Sequence, residues 1–177
     1  MNKLKNVYVL TVCALLVAIA TVLGFFKLVV IPELIEIRFA FMPIGMSGML
    51  FGPFIGGMVG ALADVLGYLV NPTGPFFPGF TIATAISGVI YGVFLYKKKI
   101  TIPRVMLAQA VESVVVSLLL NSLNLSILYG NGFIAVLTPK IIKAVALYPF
   151  KTALLYLVLI AMPVIIPSHL KEAFAKQ

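Results

Sequence analysis

The sequence predicts an all-α integral membrane protein with six transmembrane helices, and three observations carry that prediction. Hydrophobic residues make up 62% of the 177 and charged residues only 10%, against about 45–50% and about 25% in an ordinary soluble domain. The apolar runs are each about 20 residues long, the length a helix needs to cross a hydrocarbon core. The period-two alternation of a membrane β-barrel is absent.

The spans follow in order, and together they make one membrane domain of residues 1–177. Residues 7–26 form the first. Residues 1–5 are basic and Ala18-Ile19-Ala20 resembles a cleavage site, but the apolar run continues through Phe26 and no polar start follows Ala20. The expectation is therefore a retained helix rather than a signal peptide. Residues 39–51 and 54–70 are parted only by Gly52-Pro53, which predicts a tight helical hairpin. Its glycines, among them Gly48, Gly56 and Gly60, suit close packing within the chain. Residues 81–96, 103–128 and 139–166 supply the last three spans. Thr138 is a good N-cap and Pro139 fits the first helical position.

An even number of spans puts both termini on one side. On that side lie Lys3, Lys5, Lys97, Lys98, Lys99, Arg104, Lys171 and Lys176, whereas the opposite loops hold Lys27 and Arg38. The positive-inside rule places the termini in the cytoplasm. The net charge of +8 thus reads as topology, not as affinity for nucleic acid. Segments 27–38, 71–80 and 129–138 become external. They are richer in Pro, Gly or polar residues than their surroundings, which points to an outward-facing binding site.

Several chemistries are excluded by inventory. One cysteine, Cys13, and one histidine, His169, leave no internal disulfide and no metal cluster. Neither a catalytic set nor a cofactor site is expected. No G-x-x-x-x-G-K-[ST] run occurs, so the chain carries no phosphate-binding loop of that kind. Asp64, Glu112 and Lys151 fall inside spans, at a similar depth by the rise of 1.5 Å per residue. An isolated charge at a helix centre costs about 2.5–3.5 kcal/mol, so Lys151 is expected to pair with Glu112, Asp64 or both.

The most informative stretch is residues 71–81, Asn-Pro-Thr-Gly-Pro-Phe-Phe-Pro-Gly-Phe-Thr. Pro and Gly forbid a helix there, and irregular backbone cannot face lipid. The loop must pack on protein at the water edge, where its aromatics make a lid for a flat ligand. Tyr68, Phe76, Phe77 and Phe80 are the stacking candidates, with Asn71 and Thr73 beside them. Asn121 offers an amide donor and acceptor, and Asn124 is a second choice. Lys140 and Lys143, in the first turns of the sixth helix, would attract an anion together with the free N–H groups of the helix start. Arg38 adds a planar fork suited to a carboxylate. The inventory fits a flat heterocycle with an acidic tail. Ala14 and Ala18, four residues apart on the first helix, form a small-residue face on which another helix could pack closely.

These features together resemble a known family. Ile37-Arg38-Phe39 leading to Pro43, Met49-Leu50-Phe51-Gly52-Pro53, Gly60-Ala61-Leu62-Ala63-Asp64, the 72–81 loop, Asn121 with Leu128-Tyr129-Gly130, and Pro139-Lys140-Ile141 are similar to substrate-binding S components of energy-coupling factor (ECF) transporters, most closely the folate-specific type. The resemblance covers nearly the whole chain. It implies high-affinity capture of folate from outside. Inward delivery would follow in assembly with a transmembrane T component and two ABC-type ATPases, in the cell membrane of a bacterium. The Ala14–Ala18 face would meet the T component, and the loop after the third helix would gate the pocket. Lys140 stands where an arginine is expected in relatives, and lysine keeps the charge without the bidentate geometry. Asn124 stands where an aromatic is expected. A different flat vitamin, a self-contained secondary transporter and a small intramembrane enzyme are the competing readings, the last weakened by the lack of a convergent nucleophile.

Overall fold

Each expected span is a helical rod. The computed structural model describes residues 7–25, 27–31, 35–72, 75–130 and 132–165, with the backbone alone for 27–31, 35–38 and 163–165. In chain order these form α1 (Val7–Phe25), β1 (Lys27–Ile31), β2 (Ile35–Arg38), α2 (Phe41–Phe51), α3 (Pro53–Val70), α4 (Pro78–Leu95), α5 (Ile102–Glu112), a π-helical stretch (Ser113–Leu120), α6 (Asn121–Tyr129) and α7 (Phe133–Ile165). The stretch from α5 to α6 is one continuous rod, Ile102–Tyr129, and among the described residues five rods are long and apolar enough to cross a bilayer. The sixth, α2, has 11 residues. At 1.5 Å per residue it reaches about 16 Å, roughly half a hydrocarbon core. Large apolar side chains such as Phe54, Leu69, Ile134 and Val145 are exposed on the outside of the bundle, where acyl chains would meet them.

Three features depart from the expectation. The first external segment is an antiparallel hairpin, with Lys27 opposite Arg38 and Leu28 opposite Ile37. Its Leu-Val-Val-Ile and Ile-Glu-Ile runs are rich in β-branched Val and Ile, and such residues favour strands. The fifth span changes to π-helical geometry at Ser113, where the N–H of Asn121 reaches back to the carbonyl of Val116. Such i→i+5 turns are rare and frequently mark functional sites.

The third departure is a correction. The last helix begins at Phe133, not at Pro139, because the carbonyl of Gly132 accepts the N–H groups of Ala135 and Val136. Pro139 therefore lies inside the helix. Thr138 is no N-cap, and its hydroxyl bonds back to the carbonyl of Ile134 at 2.9 Å. Lys140 and Lys143 stand about two and three turns into α7, so the free N–H groups of a helix start do not serve them.

Two apolar cores hold the rods. One joins α1, α2 and α3 through Val9, Leu16, Val17, Phe51, Ile55 and Val59. The other joins α2, α4, α5 and α7 through Ile44, Tyr91, Leu95, Val105, Leu155 and Leu159. The hairpin glycines serve close packing. A Cβ on Gly56 would come 2.7 Å from the carbonyl oxygen of Gly88, and one on Gly48 would come 2.7 Å from the nitrogen of Gly92. Backbones of α2, α3 and α4 therefore touch directly.

A polar cluster is buried beside the second core. The Tyr91 hydroxyl donates to Gln109 Oε1 at 3.0 Å. Gln109 Nε2 donates to Glu112 Oε2 at 3.2 Å, and Ser87 Oγ lies 3.4 Å from Glu112 Oε1. These bonds answer the need of a carboxylate within a span for compensating partners. After α4, Lys98 caps the carbonyl of Val93 at 2.9 Å, and Arg104 reaches the carbonyl of Lys99 at 3.0 Å. Cations at a helix C-terminus oppose its partial negative charge.

Candidate functional site

The helices enclose a cavity of about 620 Å³, within the range of roughly 300–1,000 Å³ usual for small-molecule sites. It lies at the end of the bundle that carries the 71–77 loop. Three kinds of wall build it.

The mouth is aromatic. Phe76 packs on Tyr68 of α3 with centroids 5.1 Å apart and planes tilted by 57°. Phe77 meets Phe80 edge to face at 6.0 Å and 72°. All four side chains line the cavity, and Phe76 is 47% exposed. Pro78 starts α4 at its first position, so the loop ends abruptly and its aromatics are delivered to the rim. Gly79 seats this turn. A Cβ there would run into Asn124 Oδ1 of α6 and the Phe77 ring. Asn124, buried behind α4, thus supports the rim and is not among the lining residues. Asn121, where the π-helical stretch ends, does line the cavity, as does Ser117 within that stretch.

The second wall is acidic. Asp64 of α3 faces the cavity. Its Oδ2 accepts the Thr81 hydroxyl at 2.7 Å. The Thr84 hydroxyl, whose shorter bond of 2.8 Å goes to the carbonyl of Phe80, lies 3.4 Å from Oδ1. Two threonines one turn apart on α4 therefore set the orientation of the carboxylate.

The third wall is basic. Lys140, Lys143, Leu147 and Lys151 all line the cavity from one face of α7. Their spacing of 3, 4 and 4 residues is the spacing of a helical stripe. The Lys151 ammonium sits 5.6 Å from the centroid of Phe41. The ion pair expected for Lys151 is not formed among the described residues: Glu112 is bonded by Gln109 and Ser87, and Asp64 by Thr81 and Thr84. α3 packs on α1, α2 and α4, whereas α7 packs on α2, α5 and α6. The acidic and basic groups thus reach the same cavity from two different helices.

Among the residues expected from the sequence, the structure brings Tyr68, Asn71, Phe76, Phe77, Phe80, Asn121, Lys140 and Lys143 to this one cavity. Thr73 and the side chain of Arg38 lie outside the described residues. Ala14 and Ala18 are exposed on the outer face of α1. Sequence reasoning passed over Asp64 and Lys151 as lining groups, taking them for a structural ion pair. For Lys151 the signal was legible, since it continues the stripe of Lys140 and Lys143 by whole turns. Among the described residues no cluster of His, Cys, Asp and Glu could hold a metal ion.

Comparison with known proteins gives concordant results. Residues 9–170 match the family described as ECF transporter, substrate-specific component. A protein of Clostridium novyi (strain NT) named Folate transporter FolT is 38% identical over 153 residues, which is 86% of this chain and 88% of that protein. The Folate transporter FolT of Leuconostoc mesenteroides is 30% identical over 152 residues, or 82% and 81% of the two chains. A solved structure described as the crystal structure of FolT bound with folic acid matches with a TM-score of 0.77 at 36% identity, covering 85% of this chain and 92% of that one.

Proposed function

The chain belongs to the family of ECF transporter substrate-specific components, and from that premise we propose that it is the folate-capturing subunit of a bacterial vitamin importer. It is a multi-pass protein of the cell membrane and a transport component rather than an enzyme. The observation that carries the folate reading is a cavity with an aromatic rim that is lined by both an acidic side chain and lysines. Folate has the matching parts in one molecule: a flat pteridine, an aromatic spacer and a glutamate with two carboxylates.

In this reading Phe76, Phe77, Phe80 and Tyr68 cover the rings, because aromatic faces and edges stack favourably and exclude water. Lys140 and Lys143 take the carboxylates as point charges. Asn121 bonds a ring edge, Asn71 adds a polar group to the lining, and Thr73 is a further ligand contact in this reading. Arg38 adds a guanidinium from the end of β2, opposite Lys27. Pro75, Pro78 and Gly79 make the 71–79 segment the gate.

Capture alone does not move the ligand. We propose that inward delivery requires a transmembrane T component and two ABC-type ATPases, with the exposed Ala14–Ala18 face of α1 as the docking surface and both termini in the cytoplasm. The test of the ligand is direct. Purified protein is denatured and whatever small molecule it releases is identified; ligand-stripped protein is then titrated with folate by calorimetry. Folate released and rebound supports the reading. A flavin or thiamine in its place, with no folate binding, overturns it.

A further inference from the structure

We propose that Asp64 is the residue that reads the pteridine ring, its carboxylate accepting the adjacent ring N3–H and exocyclic 2-amino hydrogens. The proposal rests on the folate reading and deepens it. Three observations on the page support it. First, Asp64 is the one carboxylate among the described residues that line the cavity. Glu112, the other acid within a described span, is already engaged by Gln109 and Ser87 away from it. Second, Asp64 is aimed. Thr81 takes one lone pair of Oδ2 at 2.7 Å, and Thr84, at 3.4 Å and bonded more closely to Phe80, leaves Oδ1 largely free. Each carboxylate oxygen has two acceptor sites, so one on each oxygen remains for a ligand. Third, Asp64 of α3 and the lysines of α7 line the same cavity, so one ligand in it can meet an acceptor and cations together.

The chemistry selects the ring. A pterin presents two donors side by side, N3–H and the 2-amino group, which match the two oxygens of a carboxylate. A flavin or a 2,4-dioxopteridine presents a carbonyl at position 2, which an ionised carboxylate repels. A partly buried carboxylate is costly unless something compensates it, and the donor edge of a bound pterin does so.

The test titrates ligand-stripped protein, by calorimetry, with folate and with an analogue whose 2-amino group is replaced by methyl. Wild-type protein is expected to bind the analogue about 10- to 100-fold more weakly, the worth of a hydrogen bond to a charged group. Asp64→Asn is expected to weaken folate to within about threefold of the analogue, because the paired donors then face an amide. Equal binding of folate and analogue by the wild type overturns the proposal without recourse to any variant. So does an Asp64→Asn protein that keeps the full discrimination, or that loses folate and analogue in equal proportion. Wild-type protein that binds no folate refutes the folate reading itself; folate bound normally by Asp64→Asn refutes only the role of Asp64.

Discussion

The Lys151 ammonium lies 5.6 Å from the centre of the Phe41 ring, on the side of α7 that faces the cavity. Glu112 of the buried polar cluster takes its hydrogen bonds from Gln109 and Ser87, and we propose that the Lys151 ammonium supports its charge at longer range. Removing it leaves a buried carboxylate with hydroxyl and amide partners but no cation. Lys151→Met is therefore expected to destabilise the protein by about 1–3 kcal/mol. For a chain of this size that lowers the melting temperature by roughly 2–12 °C, read by thermal unfolding in detergent. Adding Glu112→Gln should recover much of the loss, since an amide needs no cation. An unchanged melting temperature in the single variant refutes the coupling.

Lys140 and Lys143 are about two and three turns into α7, so their attraction for an anion rests on charge and position rather than on the helix start. Lys140→Ala or Lys143→Ala is expected to weaken folate about tenfold, the lower end for a hydrogen bond to a charged group. A pterin lacking the glutamate tail should lose much less. Calorimetric titration of both ligands against each variant checks this, and equal losses refute the carboxylate role.

Much of the bundle was legible because its rods are long apolar runs broken by Gly52-Pro53, the 71–79 loop and residues 97–101. Phe76 and Phe77 were legible for the same reason, but Pro78 starts α4 and places Gly79, Phe80 and Thr81 in its first turn, where the sequence suggested loop, because proline suits the first helical position. What escaped depended on non-local partners. Thr138-Pro139 reads as a helix start, yet the Gly132 carbonyl nucleates the turn one residue after it, and a proline seven residues into a helix held by its neighbours is tolerated. The π-helical geometry at Ser113–Leu120 leaves no signature in Ser-Val-Val-Val-Ser-Leu-Leu-Leu. Asp64 looked like half of an ion pair because its real partners, Thr81 and Thr84, come from another helix.

The contact between α3 and α4 runs backbone to backbone. A Cβ on Gly88 would run into the carbonyl of Gly56, which no rotamer change can relieve. Gly88→Ala is expected to cost about 1–3 kcal/mol, the usual range for overpacking, despite the better helix propensity of alanine. Gly67→Ala, where nothing lies within 4 Å, should be neutral or stabilise by up to about 1 kcal/mol. Melting temperatures of the two variants, measured side by side, separate packing from propensity; similar values for both refute the close-contact argument.

The outer face of α1 supplies the last prediction. Ala14 and Ala18 are exposed, whereas Ala20, Thr21 and Gly24, nearer the C-terminal end of α1, line the cavity; Ala14, the residue to be changed, lies about 9 Å along the axis from Ala20 at 1.5 Å per residue. Small residues at this spacing let a second helix approach within backbone range, and a large side chain prevents that approach without touching the ligand. Ala14→Trp is expected to bind folate as the wild type does and to lose co-purification with the proposed T component. Ile19→Trp is the control: it is also exposed but lies about 140° around the helix from Ala14, at 100° per residue. It should keep both functions. Loss of assembly in both variants, or in neither, places the docking surface elsewhere. Loss of folate binding in Ala14→Trp means instead that the face supports the bundle rather than a partner.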